Sequence, residues 1–242
     1  MKTKRIETFE DLRKSYNEIY TKSKFESSNY YYSFSLSFIP RDEQKGKKLL
    51  DVGCGSGALL KLAYKKGFLT YGIDISDIAI KQAKEEVPNA KLVVGSAENL
   101  PWQNGYFDYV TCICSIEHHL HPDKSVREIA RVLSDNGKAF IMLPNSFFVH
   151  DVLRAWLKGE GLSHGQEVER FATAKQWQHL LESNGLIVDK VVKYNQKKDL
   201  FTKTGFKRSL RNFIINLIRP LVPFNLSKHF MFICRKNSQS EK

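Results

Sequence analysis

The chain has 242 residues, 42% of them hydrophobic, and a formal charge of +12 at pH 7. That content supports one α/β domain with appendages and a sizeable buried core. No run reaches the roughly 18–20 unbroken apolar residues of a membrane span, and the N-terminal MKTKRIETFEDLRKSYNEIY lacks the apolar centre of a signal peptide. A cytoplasmic protein is therefore expected. Cys54, Cys112, Cys114 and Cys234 form no C-x-x-C pair and fall mostly in apolar runs, so buried thiols are expected, without disulfides or structural zinc.

Residues 1–45 read as a helical leader whose aromatics (Tyr30, Tyr31, Tyr32, Phe34, Phe38) suit a packing cap. Strand-length apolar runs then alternate with helical patterns, as in a parallel sheet covered on both faces. The spacing predicts strands at 48–52, 70–74, 91–94, 106–113 and 138–143, and helices at 58–66, at 77–87 behind the N-cap Ser76, and at 124–133 behind Asp123. Residues 46–145 thus form a core unit. Residues 146–242 continue the same fold with a helical stretch, a polar loop at 158–171, a helix opened by the capping box Thr173-x-x-Gln176 and ended by Gly185, and strands at 186–194 and 229–235.

The first strand runs through Leu49-Leu50-Asp51-Val52 into Gly53-Cys54-Gly55-Ser56-Gly57 and then into a helix. Glycines permit positive φ and close backbone approach, and the helix N-terminus directs free N–H groups at a ligand. Gly53, Gly55 and Ala58 also satisfy the dinucleotide fingerprint, so a nicotinamide-dependent oxidoreductase stays open at this point. Asp51 argues against it: a carboxylate two residues before the first glycine repels a pyrophosphate and favours a cationic sulfonium amino acid. Asp74, 21 residues after Gly53, ends the second strand where a carboxylate can accept both ribose hydroxyls. The third strand ends in the polar turn from Gly95 to Pro101, suited to an adenine edge.

In order, LDVGCGSG, GIDIS, GSAENLPWQNGYFDYV and SIEHHLHPDKSVREIARVLSDNGKAFIMLPN resemble the class I S-adenosylmethionine-dependent methyltransferases, particularly their small-molecule, ubiquinone-type branch. The resemblance implies a Rossmann-like methyltransferase fold: a mainly parallel seven-stranded sheet with an antiparallel last strand and helices on both faces. It implies S-adenosyl-L-methionine as cofactor, with Asp51, Gly53 and Gly55 at the methionine end, Asp74 and Ile75 at the ribose, and Ser96, Ala97 and Glu98 at the adenine. Ser96 stands where many relatives carry Asp, and Ser134-Asp135-Asn136-Gly137 replaces their Pro-Gly-Gly turn.

Methyl transfer needs alignment in a site shielded from water, and a base only where the acceptor must lose a proton. His118 and His119, just after the fourth strand, are the catalytic candidates, with loop-pinning hydrogen bonds as their alternative role. In the ubiquinone-type O-methyltransferases the acid three positions before the Glu-His pair helps bind a metal; here that position is Cys114, so no metal requirement is expected. His164 and Arg170, in the polar loop, are candidates for binding an acceptor. The C-terminal run also resembles, more weakly, methyltransferases of envelope-glycan or lipid biosynthesis, so the expected acceptor is a small molecule, a sugar or a lipid-linked compound. Alternatives are an RNA or other nucleic-acid substrate, an oxidoreductase, or a noncatalytic cofactor-binding subunit; the oligomeric state is left open.

Residues 196–236 carry ten Lys/Arg against the single acid Asp199. Within them Phe206, Leu210, Phe213, Ile214, Leu217, Ile218 and Leu221 recur at helical spacing, flanked by Lys207, Arg208 and Arg211, with Pro220 at the end. Packing of this stripe on the domain or a partner is expected, with peripheral attachment to an anionic membrane as the alternative.

Overall fold

The computed structural model describes residues 6–22, 29–160, 168–195 and 206–238. In chain order these form α1 (Phe9–Lys22), α2 (Asn29–Leu36), β1 (Lys48–Val52), α3 (Ala58–Lys65), β2 (Leu69–Asp74), α4 (Asp77–Glu86), β3 (Lys91–Val94), β4 (Phe107–Ile113), α5 (Pro122–Val132), β5 (Leu133–Pro144), α6 (Val149–Lys158), α7 (Ala174–Glu182), β6 (Leu186–Tyr194), α8 (Phe206–Ile218) and β7 (His229–Lys236). One sheet orders them β3-β2-β1-β4-β5-β7-β6. The first five strands are parallel, and β7 lies antiparallel between β5 and β6. This is the expected Rossmann-like architecture.

Strands of a doubly covered sheet bury both faces, so their sequences read as unbroken apolar runs. On β1, Leu49 belongs to the core layer that holds Leu36, Leu59, Phe68 and Phe140, while Leu50 belongs to the layer on the other face with Val126, Ile129 and Phe232. Trp177 and Leu181 of α7 join the second layer, and the Trp177 indole N–H donates to Pro144 O at 2.8 Å, tying α7 to the end of β5.

Two local expectations need correction. Helix α5 starts at Pro122 with His121 in the cap position, because proline presets the first-turn φ without needing its missing N–H; Asp123 lies inside that turn and pairs with Arg127. Strand β5 begins at Leu133, not Lys138, and its register with β4 jumps from Phe107↔Leu133 to Tyr109↔Lys138. Residues 134–137 are thus a bulge within a strand. Gly137 belongs there, since a Cβ would meet Asp108 O at 2.9 Å.

Pairing of Pro144 with His229 and of Tyr194 with His229 places the ends of β5 and β6 at one edge of the sheet. The turns that follow β1, β2, β3 and β4 lie at that same edge.

Candidate functional site

At this carboxyl edge a cleft opens between the turns that follow β1, β2, β3 and β4. Gly53, Gly55 and Gly57 hold φ of 73°, 51° and 84°, a region that side-chain-bearing residues rarely adopt. Contact as well as torsion demands glycine: a Cβ on Gly53 would collide with Ser115 Oγ, and one on Gly55 would lie 2.6 Å from the Tyr20 hydroxyl. The result is a bare backbone cradle.

Asp74 is fixed against this cradle. The Gly55 N–H donates to its Oδ2 at 2.8 Å and the Ser76 N–H to its Oδ1 at 2.9 Å. Burial pushes its pKa up to about 6, against the opposing pull of these donors. Asp74 and Ile75 both line the cleft. Asp51 does not: it sits behind the glycine turn, where Thr111 Oγ1 donates to its Oδ1 at 2.7 Å. Burial raises its pKa to about 7, and the charge of Asp74 adds to the rise.

Gly95, Ser96, Ala97 and Glu98 form another part of the lining. The Glu98 N–H donates to Ser96 Oγ at 3.0 Å, and Glu98 Oε1 accepts from the His121 N–H at 2.9 Å. Both side chains thus shape their turn as well as facing the cleft.

The opposite wall follows β4. Cys114 holds φ 51°, the one positive φ outside glycine among the described residues, which turns Ser115 toward Gly53. The two histidines have unlike surroundings. His119 uses both ring nitrogens, with Nε2 3.0 Å from Ser115 Oγ and Nδ1 2.8 Å from Ser125 Oγ; burial drives its pKa down to about 3. His118 Nδ1 lies 2.6 Å from Val168 O. A carbonyl only accepts, so Nδ1 carries the proton and Nε2 keeps its lone pair. Beside it, Glu117 is buried and its pKa is pushed up to about 8, with Oε1 3.8 Å from His118 Nε2.

Arg170 caps this segment from outside. Its guanidinium donates to the backbone carbonyls of Glu117, His119 and Leu120 at 3.2, 2.6 and 3.2 Å. It therefore fixes the histidine loop, and the cleft lining does not include it. His164 lies outside the described residues.

Sequence reasoning missed a covering element. Helix α1 contributes Phe9, Leu12, Tyr16, Ile19 and Tyr20 to the cleft, and the Tyr16 and His118 rings meet edge-on at 6.4 Å. Asn17 staples the helix down: its Nδ2 donates to Asp77 Oδ1 at 2.7 Å, and its Oδ1 accepts from Ser76 Oγ at 2.6 Å. The i, i+3, i+7 spacing of Phe9, Leu12 and Tyr16 was the available signal.

Residues 50–141 match the family described as a methyltransferase domain. The chain is 30% identical over 153 residues to the uncharacterized protein MJ1252 of Methanocaldococcus jannaschii, a match covering 63% of this chain and 57% of that one. It is 32% identical over 108 residues to the ubiquinone biosynthesis O-methyltransferase of Coxiella burnetii, covering 43% of this chain and 46% of that one. The matches thus span about half the length of these curated relatives. Among solved structures, phosphoethanolamine N-methyltransferase 2 of Haemonchus contortus, bound to phosphomonomethylethanolamine and S-adenosylhomocysteine, superposes with a TM-score of 0.68 at 18% identity, covering 96% of this chain and 61% of that one. At that identity the likeness concerns the fold.

Proposed function

We propose that this chain, whose residues 50–141 match a methyltransferase domain, is a class I S-adenosylmethionine-dependent methyltransferase that moves the cofactor's methyl group by in-line displacement to a small-molecule, sugar or lipid-linked acceptor. The observation that carries the reading is the convergence of the bare Gly53–Gly55 backbone, Asp74 and His118 on one cleft. A side-chain-free cradle fits the methionine end, Asp74 and Ile75 fit the ribose, and the turn of Ser96, Ala97 and Glu98 fits the adenine. When bound, S-adenosylmethionine supplies a sulfonium-activated methyl group; the acceptor's lone pair forms the new bond as the carbon–sulfur bond breaks and a neutral thioether leaves.

The chain's own residues do the positioning. Helix α1 and the β4 wall exclude water, which strengthens the electrostatics inside and holds the reactants aligned. For a hydroxyl acceptor, His118 Nε2 takes the released proton, since its Nδ1 proton is already held by Val168 O. Asp51 contributes negative charge from behind the turn.

Thermal melting tests the cofactor assignment. At about 100 times its Kd, S-adenosylhomocysteine should stabilise the fold by about 2.7 kcal/mol, raising Tm by roughly 5–11 °C, while NADH should leave it unchanged. Stabilisation by NADH alone would reverse the assignment. Methyl-labelled cofactor offered with sugar, lipid-linked and quinone-like compounds then identifies the acceptor; label entering RNA instead would overturn the acceptor class.

A further inference from the structure

Helix α6 has no buried residue, and among its side chains Trp156 is 79% and Leu157 70% exposed. Helix α8 repeats the pattern: Phe213 is 55%, Leu217 67% and, in the turn beyond it, Leu221 78% exposed. From Leu210 to Leu221 the apolar stripe read from the sequence is thus about half or more exposed. In chain order α6 follows β5 and α8 follows β6, the two strands whose carboxyl ends lie at the same edge of the sheet as the turns that line the cleft. Their attachment is firm on the α8 side, where Lys193 Nζ donates to Pro220 O and Val222 O at 2.8 and 2.7 Å, and Arg219 Nη1 donates to Asn195 O at 3.0 Å.

Charge selects the occupant. Residues 206–228 contain five Lys/Arg and no Asp or Glu, so the apolar face belongs to a segment whose own sequence is wholly cationic. A second copy would bring the same positive charge against it, which opposes self-association. An anionic bilayer satisfies both features, with apolar side chains entering the acyl boundary, Trp at the headgroup level and cations on the phosphates. No helix among the described residues is long and apolar enough to cross a membrane, so the contact lies in the plane of the surface.

We propose that the exposed faces of α6 and α8 dock on an anionic lipid bilayer and turn the cleft toward an acceptor carried by that bilayer. The acceptor half rests on the methyl-transfer reading; the docking does not. Co-sedimentation of the full chain with phosphatidylcholine vesicles, with and without phosphatidylglycerol, tests the docking in the absence of cofactor. Binding should require phosphatidylglycerol and weaken with salt. Leu217→Asp and Trp156→Ser should each reduce it at least about tenfold, while S-adenosylhomocysteine affinity, measured in parallel, stays at the wild-type value and certifies the fold. Absence of binding at low salt, or full binding by both variants, would overturn the docking. So would a dimer in sedimentation velocity that Leu217→Asp disperses, which would assign the face to a second copy. Vesicle binding without methyl transfer to any lipid-borne acceptor would retain the docking and overturn the acceptor half.

Discussion

His118 and His119 are adjacent in the chain, yet their ring nitrogens divide the work between them. Both nitrogens of His119 are engaged by Ser115 and Ser125, so this ring braces the loop that follows β4. His118 lines the cleft with Nε2 unprotonated, because Val168 O holds its other nitrogen in the protonated state. With a hydroxyl acceptor, we predict that His118→Ala lowers kcat by about 10²-fold or more with cofactor affinity unchanged. His119→Ala should instead lower Tm and weaken cofactor binding, since it removes a partner from the buried Ser125 hydroxyl and from Ser115 of the cleft lining. Steady-state kinetics alongside calorimetric titration separates the two; equal kinetic losses with intact Tm in both variants would contradict the division.

Helix α1 shows how an element outside the matched segment completes the site. Its hold on α4 includes Asn17, which bridges the Ser76 cap and Asp77, beside Arg13 on Asp77 and Gln82 on Tyr20 O. We predict that Asn17→Ala loosens the helix and speeds S-adenosylhomocysteine dissociation, weakening affinity by roughly tenfold through two lost hydrogen bonds of about 0.5–1.5 kcal/mol each. Stopped-flow displacement measures it, and an unchanged off-rate would show that the helix does not gate the cleft. The strands around the glycine turn were legible in the sequence because burial on both faces demands unbroken apolar runs, and Gly53 was legible because only glycine tolerates its torsion and the approach of Ser115. Less legible was anything set by tertiary contact. Arg170 read as an acceptor ligand, but three carbonyls 50 or more residues earlier in the chain claim its donors. Asp51 read as a cleft charge, but the pleat of β1 turns it toward Thr111. The cover formed by α1 was hidden because an apolar helical stripe looks the same whether it lies over a core or over a ligand.

Across the whole molecule, buried acids give the fold a pH signature. Burial raises Asp74, Asp51 and Glu117 to about 6, 7 and 8, from 3.8 for the aspartates and 4.5 for the glutamate. The folded chain thus keeps protons that the unfolded chain has released, and stability falls as pH rises through these values. His119 opposes this below 6.5, its ordinary pKa, because the fold keeps it neutral down to about 3. His118, also held below its ordinary value by burial, opposes it in the same range; above pH 6.5 that opposition is gone and the fall rests on Asp51 and Glu117. We predict that Glu117→Gln flattens the decline of Tm between about pH 6.5 and 8, where each retained proton is worth at most about 1.4 kcal/mol per pH unit; an equally steep decline in the variant would remove Glu117 from the account. The pairing of Tyr194 with His229 carries a different implication. These two residues face each other on neighbouring antiparallel strands, so the 34 residues between them leave the sheet and return to the point of departure. A tight hairpin could join the same ends, and because closure entropy grows only with the logarithm of loop length, the longer path costs roughly 2 kcal/mol more. The scaffold is thermodynamically almost indifferent to what occupies that span, so the segment could have been acquired, and could be exchanged, on an evolutionary history separate from that of the cofactor cradle.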